Sequence, residues 1–328
     1  MRFGINIDGG AGFDEFLAKI RQAREAGFHS AWLPQSPGGG PRNHGRNRGN
    51  PRQRHMLFGY DSLTALAIAG QHVDGIELGT NIVPIFPRHP MALAEQALTL
   101  RTAYSGPMVL GVGVSHRHVV EDQWGYRYDR TALRMREYLH VLNELFSTGA
   151  VAFDGETVIA RGSLTIPPTD PFPVLVAALG PRMIDAAGEL SDGAITWMTG
   201  HRTLASHVTP RLTAAATRAG RPAPRLMAMM PVCVTSEVTA ARKRAQRVYL
   251  IYRLLPNYRA VLDREGAQDS ADIALIGDED AVAAQVKRLA ESGVTDLAGM
   301  LFGPEEDQAR TRALLADLSG SSDRGTSG

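Results

Sequence analysis

One cysteine, Cys233, is all the thiol chemistry that the 328 residues carry. No internal disulfide can form, and a reducing cytoplasm is the expected compartment. Excess charge of either sign is missing too, since the formal net charge is +1. That speaks against bulk attraction to nucleic acid or to an anionic membrane surface. No apolar run approaches the roughly 20 residues of a membrane-spanning helix. At the start, Met1-Arg2-Phe3 leads into a strand-like segment and does not read as a signal peptide. HExxH, clustered cysteines and paired carboxylates at strand ends do not occur, so no metal site is expected. A GxSxG elbow for acyl transfer and internal repeats are absent as well.

What is present is an ordinary globular composition, 44% hydrophobic and 21% charged. Strand patterns are predicted at 2–8, 30–34, 76–85, 108–114, 173–178, 193–198, 225–234 and 294–301. Helical periodicity lies between them, as in Phe13, Phe16, Leu17, Ile20 and Ala23 on one face. Strand–helix alternation predicts a parallel sheet, and eight units in about 300 residues is the count at which such a sheet closes into a TIM (β/α)8 barrel. An open, doubly wound sheet is the alternative.

Residues 1–318 are expected to form this single α/β domain. Within it, 149–170 reads as a small β insertion after strand four, with 150–153 and 164–166 as its strands. The run 38–54 holds Arg42, Arg46, Arg48, Arg52 and Arg54 with no acid and almost nothing apolar. Burial cannot offset its ordering entropy, so it is expected to be a mobile basic loop after strand two. The small, polar 319–328 should be a disordered tail.

The stretch VLGVGVSH at 109–116 tests the function. A dinucleotide fingerprint needs a third glycine where His116 stands, so the segment reads as a buried strand delivering Ser115 and His116 at its end. In a barrel of this kind the chemistry sits at the C-terminal strand ends. Those ends carry Asn6 and Asp8, Gln35 and Ser36, Thr80 and Asn81, Ser115 and His116, Ala177 to Arg182, and Trp197 to Thr199. Amides, hydroxyls and backbone groups dominate there, which suits the grip on a large planar ligand.

Three segments together, LGTNIVPIFPRHP at 78–90, LGVGVSH at 110–116 and VLVAALGPRMIDAAGELSDGAITWM at 174–198, carry a resemblance. The chain resembles the bacterial luciferase-like superfamily over residues 1–318, and within it the branch that uses the deazaflavin coenzyme F420. The resemblance implies a TIM barrel with an insertion after strand four, a cofactor across the strand ends, hydride transfer at the deazaflavin ring, and a homodimer. It also implies a non-proline cis peptide at Asn81–Ile82, whose bulge presses on the central ring.

By the same resemblance the cofactor would contact Gln35, Thr80, Asn81, Ile82, Val114 and Ser115. Its phosphate-bearing tail would meet Ala177, Ala178, Leu179, Gly180, Pro181 and Arg182. Locally, Gly180 permits close backbone approach, Pro181 suits the first helical turn, and a helix N-terminus offers N–H groups to an anion. His116 is the candidate proton donor; its bland alternative is a strand-end histidine bonded to a backbone carbonyl. Many relatives end strand two with Asp-His where this chain has Gln35-Ser36, which removes one acid–base histidine. Ser36, Tyr60, Trp197 and Tyr252 are the candidate substrate contacts. The expected substrate is a small or medium organic acceptor with a C=C, C=N or C=O bond, a modified peptide included. Two other functions stay open: an FMN-dependent monooxygenase, and a binding barrel whose arginine loop recruits nucleic acid.

Overall fold

The computed structural model describes residues 1–9, 12–35, 59–166 and 169–324. Eight strands form the frame: β1 Arg2–Asn6, β2 Ser30–Leu33, β3 Glu77–Thr80, β4 Met108–Gly113, β5 Val174–Ala177, β6 Gly193–Trp197, β7 Arg225–Val234 and β8 Asp296–Leu301. They follow one another in chain order, β8 lies between β7 and β1, and β6 pairs β7, which closes the ring. The fold is thus an α/β TIM barrel, and the open-sheet alternative is excluded. Every residue of β2, β3 and β4 is buried. That is why MVLGVG in β4 reads as an apolar run rather than as an alternating one. Among the described residues no helix is long and apolar enough to cross a membrane.

By internal contacts the chain divides into two compact units, one of residues 1–6, 22–31 and 178–328, the other of 7–21 and 32–177. In the second unit β3, β4 and β5 pair in parallel, Leu78 opposite Met108 and Leu110 opposite Val174. The helices Pro90–Ala103 and Thr131–Thr148 bring Leu93, Ala97, Tyr138, Leu139 and Leu142, all buried, to its core. Trp32 is wholly buried, and a Cβ on Gly79 would stand 2.4 Å from its ring, so only glycine fits there.

The insertion is an antiparallel hairpin of Ala150–Asp154 and Ile159–Ser163. Its second strand is not the expected 164–166. The turn is clamped by Glu137, whose carboxylate accepts from the amides of Glu156 at 2.9 Å, Thr157 at 2.7 Å and Val158 at 3.0 Å, and from the Thr157 hydroxyl at 2.5 Å. Burial alone would raise this carboxyl's pKa; the four donors outweigh it and hold the group below the usual range.

In the first unit β8 lies between β1 and β7, while β7 also pairs β6 and a short outer strand, Leu275–Gly277. At the foot of β8 the buried Asp296 accepts from Arg225 at 2.5 Å. The last described helix runs from Glu305 to Arg324 and so covers 319–324 of the stretch expected to be a disordered tail. Its Thr311 hydroxyl accepts the Val234 amide at 2.7 Å, and the fully buried Ser319 hydroxyl donates to the Gly27 carbonyl at 2.8 Å. The basic run 38–54 and Ser36 lie outside the described residues.

Candidate functional site

In the second unit the end of β3 is irregular. Its ladder with β4 pairs Gly79 with Val109 and resumes with Val83 opposite Val112, four steps on one side against three on the other. One extra residue must bulge out. The gap leaves the backbone of Gly111 without a partner on β3, and the buried Thr80 hydroxyl fills it, accepting the Gly111 amide at 2.8 Å and donating to its carbonyl at 2.9 Å. The Asn81–Ile82 peptide within the bulge is cis, at the position the resemblance implied. Backbone bonds tie the bulge to the end of β2: Asn81 N–H donates to Leu33 O at 3.2 Å, and Gln35 N–H to Ile82 O at 3.3 Å. The Ile82 side chain lies across Gly113, where an added Cβ would meet it at 2.8 Å.

The Gln35 side chain is held at both ends. Its Nε2 donates to Asp61 at 3.2 Å, and its Oε1 accepts from the Ser62 hydroxyl at 3.1 Å. Asp61 itself caps the helix Ser62–Ala69 by accepting the Thr64 amide at 3.0 Å, and it also pairs with Arg88. Burial opposes ionisation of Asp61, but the Thr64 bonds, Arg88 and Gln35 together hold its carboxyl below the usual range. Asp61 and Arg88 went unnoticed in the sequence, although an aspartate directly before SLTALAIA is a cap signal. Tyr60 packs edgewise against Phe13 and Phe16 of the first helix, with centroids 5.4 and 6.0 Å away. That is the company of a packing residue more than of a ligand wall.

Beyond β4, Val114 leads to Ser115, a non-glycine residue held at φ 59°. Such left-handed backbone is uncommon and concentrates at functional sites. The Tyr128 hydroxyl secures it by donating to the Ser115 carbonyl at 3.1 Å. His116 is half-buried at the start of the helix Arg117–Asp122, its ring parallel to that of His118 at 5.8 Å. Loss of water around the ring, with a smaller push from His118, lowers its pKa to about 4.

In the first unit the segment after β5 starts with Ala178, whose amide donates to Ile195 O at 3.0 Å, and passes through Leu179 to Gly180. Ala177, the last residue of β5, belongs to the second unit and approaches Gly113. Gly180 opens the helix Pro181–Leu190 without any side-chain cap, and a Cβ added to it would meet nothing within 4 Å. The amides of Met183 and Ile184 both turn back to Gly180 O, and Pro181 has no N–H, which leaves the Arg182 amide outside the helical ladder. Arg211 steadies this end, donating to Pro181 O at 3.0 Å and to Asp185 at 2.5 Å.

The helix after β6 is closed where this one is open. Glu265 accepts the Thr203 amide at 2.6 Å, and a Cβ on Gly200 would strike that carboxylate at 2.5 Å. Trp197, at the end of β6, meets the rings of Tyr249 and Tyr252 at 5.8 Å each, and Tyr252 meets Tyr258 at 4.8 Å. Trp197 and Tyr252 thus come together in an aromatic group that also includes Phe302. Burial pushes the Tyr252 phenol up, so it stays protonated. Among the described residues, no three His, Cys, Asp or Glu side chains gather as a metal site would require.

The model of the luciferase-like monooxygenase family matches residues 1–296. An uncharacterized protein of Mycobacterium tuberculosis is 29% identical over 225 residues, 64% of this chain, and the match spans only 66% of that protein's length. An F420-dependent glucose-6-phosphate dehydrogenase of Nakamurella multipartita is 28% identical over 225 residues, 66% of this chain and 65% of its own. Among solved structures, the coenzyme F420-dependent tetrahydromethanopterin reductase of Methanopyrus kandleri superposes with a TM-score of 0.77 at 20% identity, over 96% of this chain and 97% of that one. A type II Baeyer–Villiger monooxygenase component of Pseudomonas putida, in complex with FMN, gives 0.74 at 16% identity over 97% and 96%.

Proposed function

The chain belongs to the luciferase-like monooxygenase family, and on that footing we propose that it is a coenzyme F420-dependent oxidoreductase acting on a small or medium organic acceptor with a C=C, C=N or C=O bond. The observation that carries this reading is the built bulge after β3, which backbone bonds tie to the end of β2 and whose gap Thr80 fills against Gly111. Relatives named for coenzyme F420 support the deazaflavin over a flavin.

The residues present fit such a group. Gly180 has open space where a Cβ would stand, and the uncapped helix start beside it leaves an amide for an anion. In this reading Gly180, Pro181 and the Arg182 amide and guanidinium take the phosphate-bearing tail, with Ala177, Ala178 and Leu179 alongside. Asn81, Ile82, Val114 and Ser115 bear on the ring, and Gln35 offers whatever hydrogen-bonding capacity Asp61 and Ser62 leave it. Thr80 supports the bulge without touching the ligand, because its hydroxyl is spent on Gly111. When bound, the deazaflavin supplies or receives the hydride.

His116 handles the proton. With its pKa at about 4 the ring is neutral at pH 7 in the ligand-free protein, hence a proton acceptor. That state suits oxidation of an alcohol-type substrate, while donation during reduction requires a nearby anion that raises the pKa again. Trp197 and Tyr252 shape the acceptor's surroundings; Ser36 and Tyr60 complete the candidate contacts. A cytoplasmic homodimer acting on a free small molecule or a modified peptide goes with this reading.

The FMN-complexed neighbour favours a second reading, an FMN-dependent monooxygenase. Titrating the purified chain with reduced and oxidised coenzyme F420 and with FMN, followed by fluorescence quenching, separates the two. Saturable binding of the deazaflavin with at least tenfold weaker FMN binding is expected. The reverse order would replace the proposal with the monooxygenase.

A further inference from the structure

Arg134 stands in the first turn of the helix Thr131–Thr148 with its guanidinium over the ring of Phe86, 5.1 Å from the centroid. Phe86 is buried and stacks on Tyr128 at 5.8 Å and 24°, and Arg117 lies 5.2 Å over the Tyr128 ring. Four side chains thus alternate cation, ring, ring, cation. Tyr128 is pinned by its bond to the Ser115 carbonyl, directly before His116.

The two cations are not equivalent. Arg117 donates to Glu121 at 2.6 Å. Arg134 has no such partner: its Nε is buried and lacks an acceptor, and its guanidinium makes no hydrogen bond or ion pair among the described residues. Four carboxylates on the surrounding elements are already engaged. Glu121 takes Arg117 and the Tyr128 amide, Asp129 takes Arg127, Glu156 takes Arg130, and Glu137 takes the hairpin turn. A guanidinium seated on a ring keeps its flat donor edge in a fixed orientation, and such an edge matches carboxylate and phosphate oxygens two at a time. Burying a donor without an acceptor is costly unless something else supplies the acceptor.

We propose that Arg134, seated on Phe86, is an anion subsite that takes a carboxylate or phosphate group of a bound ligand. The subsite does not depend on which cofactor the enzyme uses. The contacts run from Arg134 through Phe86 and Tyr128 to the Ser115 carbonyl, directly before His116, which makes the acceptor or the cofactor tail the source of the anion.

The test uses the full chain without cofactor, titrated by calorimetry with inorganic phosphate and with benzoate, a flat carboxylate. Wild type is expected to bind at least one of them, Arg134→Gln to lose at least tenfold in affinity, and Arg134→Lys to recover part of it. The thermal midpoint of Arg134→Gln should fall by no more than a few degrees, because the side chain gives up only its contact with the Phe86 ring and no hydrogen bond within the protein. A second set uses coenzyme F420 and a ribityl deazaflavin lacking phosphate and carboxylates. Loss in Arg134→Gln confined to coenzyme F420 places the anion on the cofactor; unchanged coenzyme F420 affinity with loss of benzoate or phosphate places it on the substrate. A chain that binds FMN alone, with benzoate or phosphate still dependent on Arg134, refutes the deazaflavin reading and leaves the subsite standing. If phosphate, benzoate and coenzyme F420 all bind the variant as they bind wild type, or none binds wild type, the subsite is overturned.

Discussion

Replacing Thr80 by valine keeps the shape of the side chain and removes only the hydroxyl. In the structure that oxygen is the partner of both the Gly111 amide, at 2.8 Å, and the Gly111 carbonyl, at 2.9 Å, in a fully buried setting. Neither group has an alternative, because the one-residue bulge has moved the β3 backbone out of register there. Each buried polar group left unpaired costs about 1–3 kcal/mol, so Thr80→Val should lose roughly 2–6 kcal/mol. At roughly 2 °C per kcal/mol for a large domain, the thermal midpoint should fall by about 4–12 °C. Thr80→Ser keeps the oxygen and gives up one methyl, about 1 kcal/mol. Calorimetric unfolding of the three proteins, with hydrogen exchange at Gly111, gives the expected order wild type, Ser, Val. A valine variant as stable as the serine one, with Gly111 still protected, would refute the role assigned to the hydroxyl.

Glu137→Gln should loosen the hairpin turn, speeding exchange at Glu156, Thr157 and Val158 at least tenfold, since an amide cannot accept four donors with one oxygen. The lowered pKa of Glu137 sets the pH window of the same clamp. Its stabilisation is complete above the ordinary glutamate value, about 4.3, and fades as pH falls through the lower folded value, so protection at Thr157 should be flat from neutrality down to that range. Cys233 is buried and its thiol is pushed up to about 12, so a thiol reagent at pH 8 should leave the native protein unlabelled and react once denaturant unfolds it. For His116 the folded pKa lies below the unfolded one. Its contribution to stability is therefore full above about 6.5 and declines as pH drops toward 4, because the unfolded ring takes up its proton first. His116→Asn should flatten that part of the stability curve, and an unchanged slope would count against the burial argument.

How much of this was legible in the sequence depended on what each residue is buried against. The eight strands could be read because most are covered on both faces: MVLGVG in β4 is buried throughout. The second hairpin strand, IARGS, buries only Ala160, so no pattern marked it and the expectation slid onto the more apolar 164–166. Polarity misled at the C-terminus, where DLSGSSDR continues a helix because the Ser319 hydroxyl finds the Gly27 carbonyl, a contact hydropathy cannot register. In the same way the Asp61–Arg88 pair joins residues far apart in sequence, and only the fold brings them to Gln35. The resemblance implies Thr80 as a cofactor contact, and what sequence could not register is that the bulge also engages its hydroxyl with Gly111.

Two ionisable groups after β4 share one property that bears on the chemistry. The Tyr128 phenol is pushed up by burial and donates to Ser115, and His116 is held neutral. Each is locked in one protonation state at pH 7, whereas a group that relays protons works best with a pKa near the working pH. With its pKa at about 4, His116 carries a proton in only about one molecule in a thousand at pH 7. A bound ligand must therefore retune the ring, and the property of the ligand that can do so is negative charge close by, which favours the imidazolium. Arg134, whose Nε has no acceptor among the described residues, is a cation that can bring such charge to the Phe86–Tyr128 stack. The two features then imply a pH profile that differs between states: free protein with no inflection from His116 near neutrality, and an anion-loaded complex with one. A kcat profile that rises toward acid through an inflection well above pH 4, abolished in both His116→Asn and Arg134→Gln, is the expected result. An inflection that survives Arg134→Gln would assign the retuning to another group.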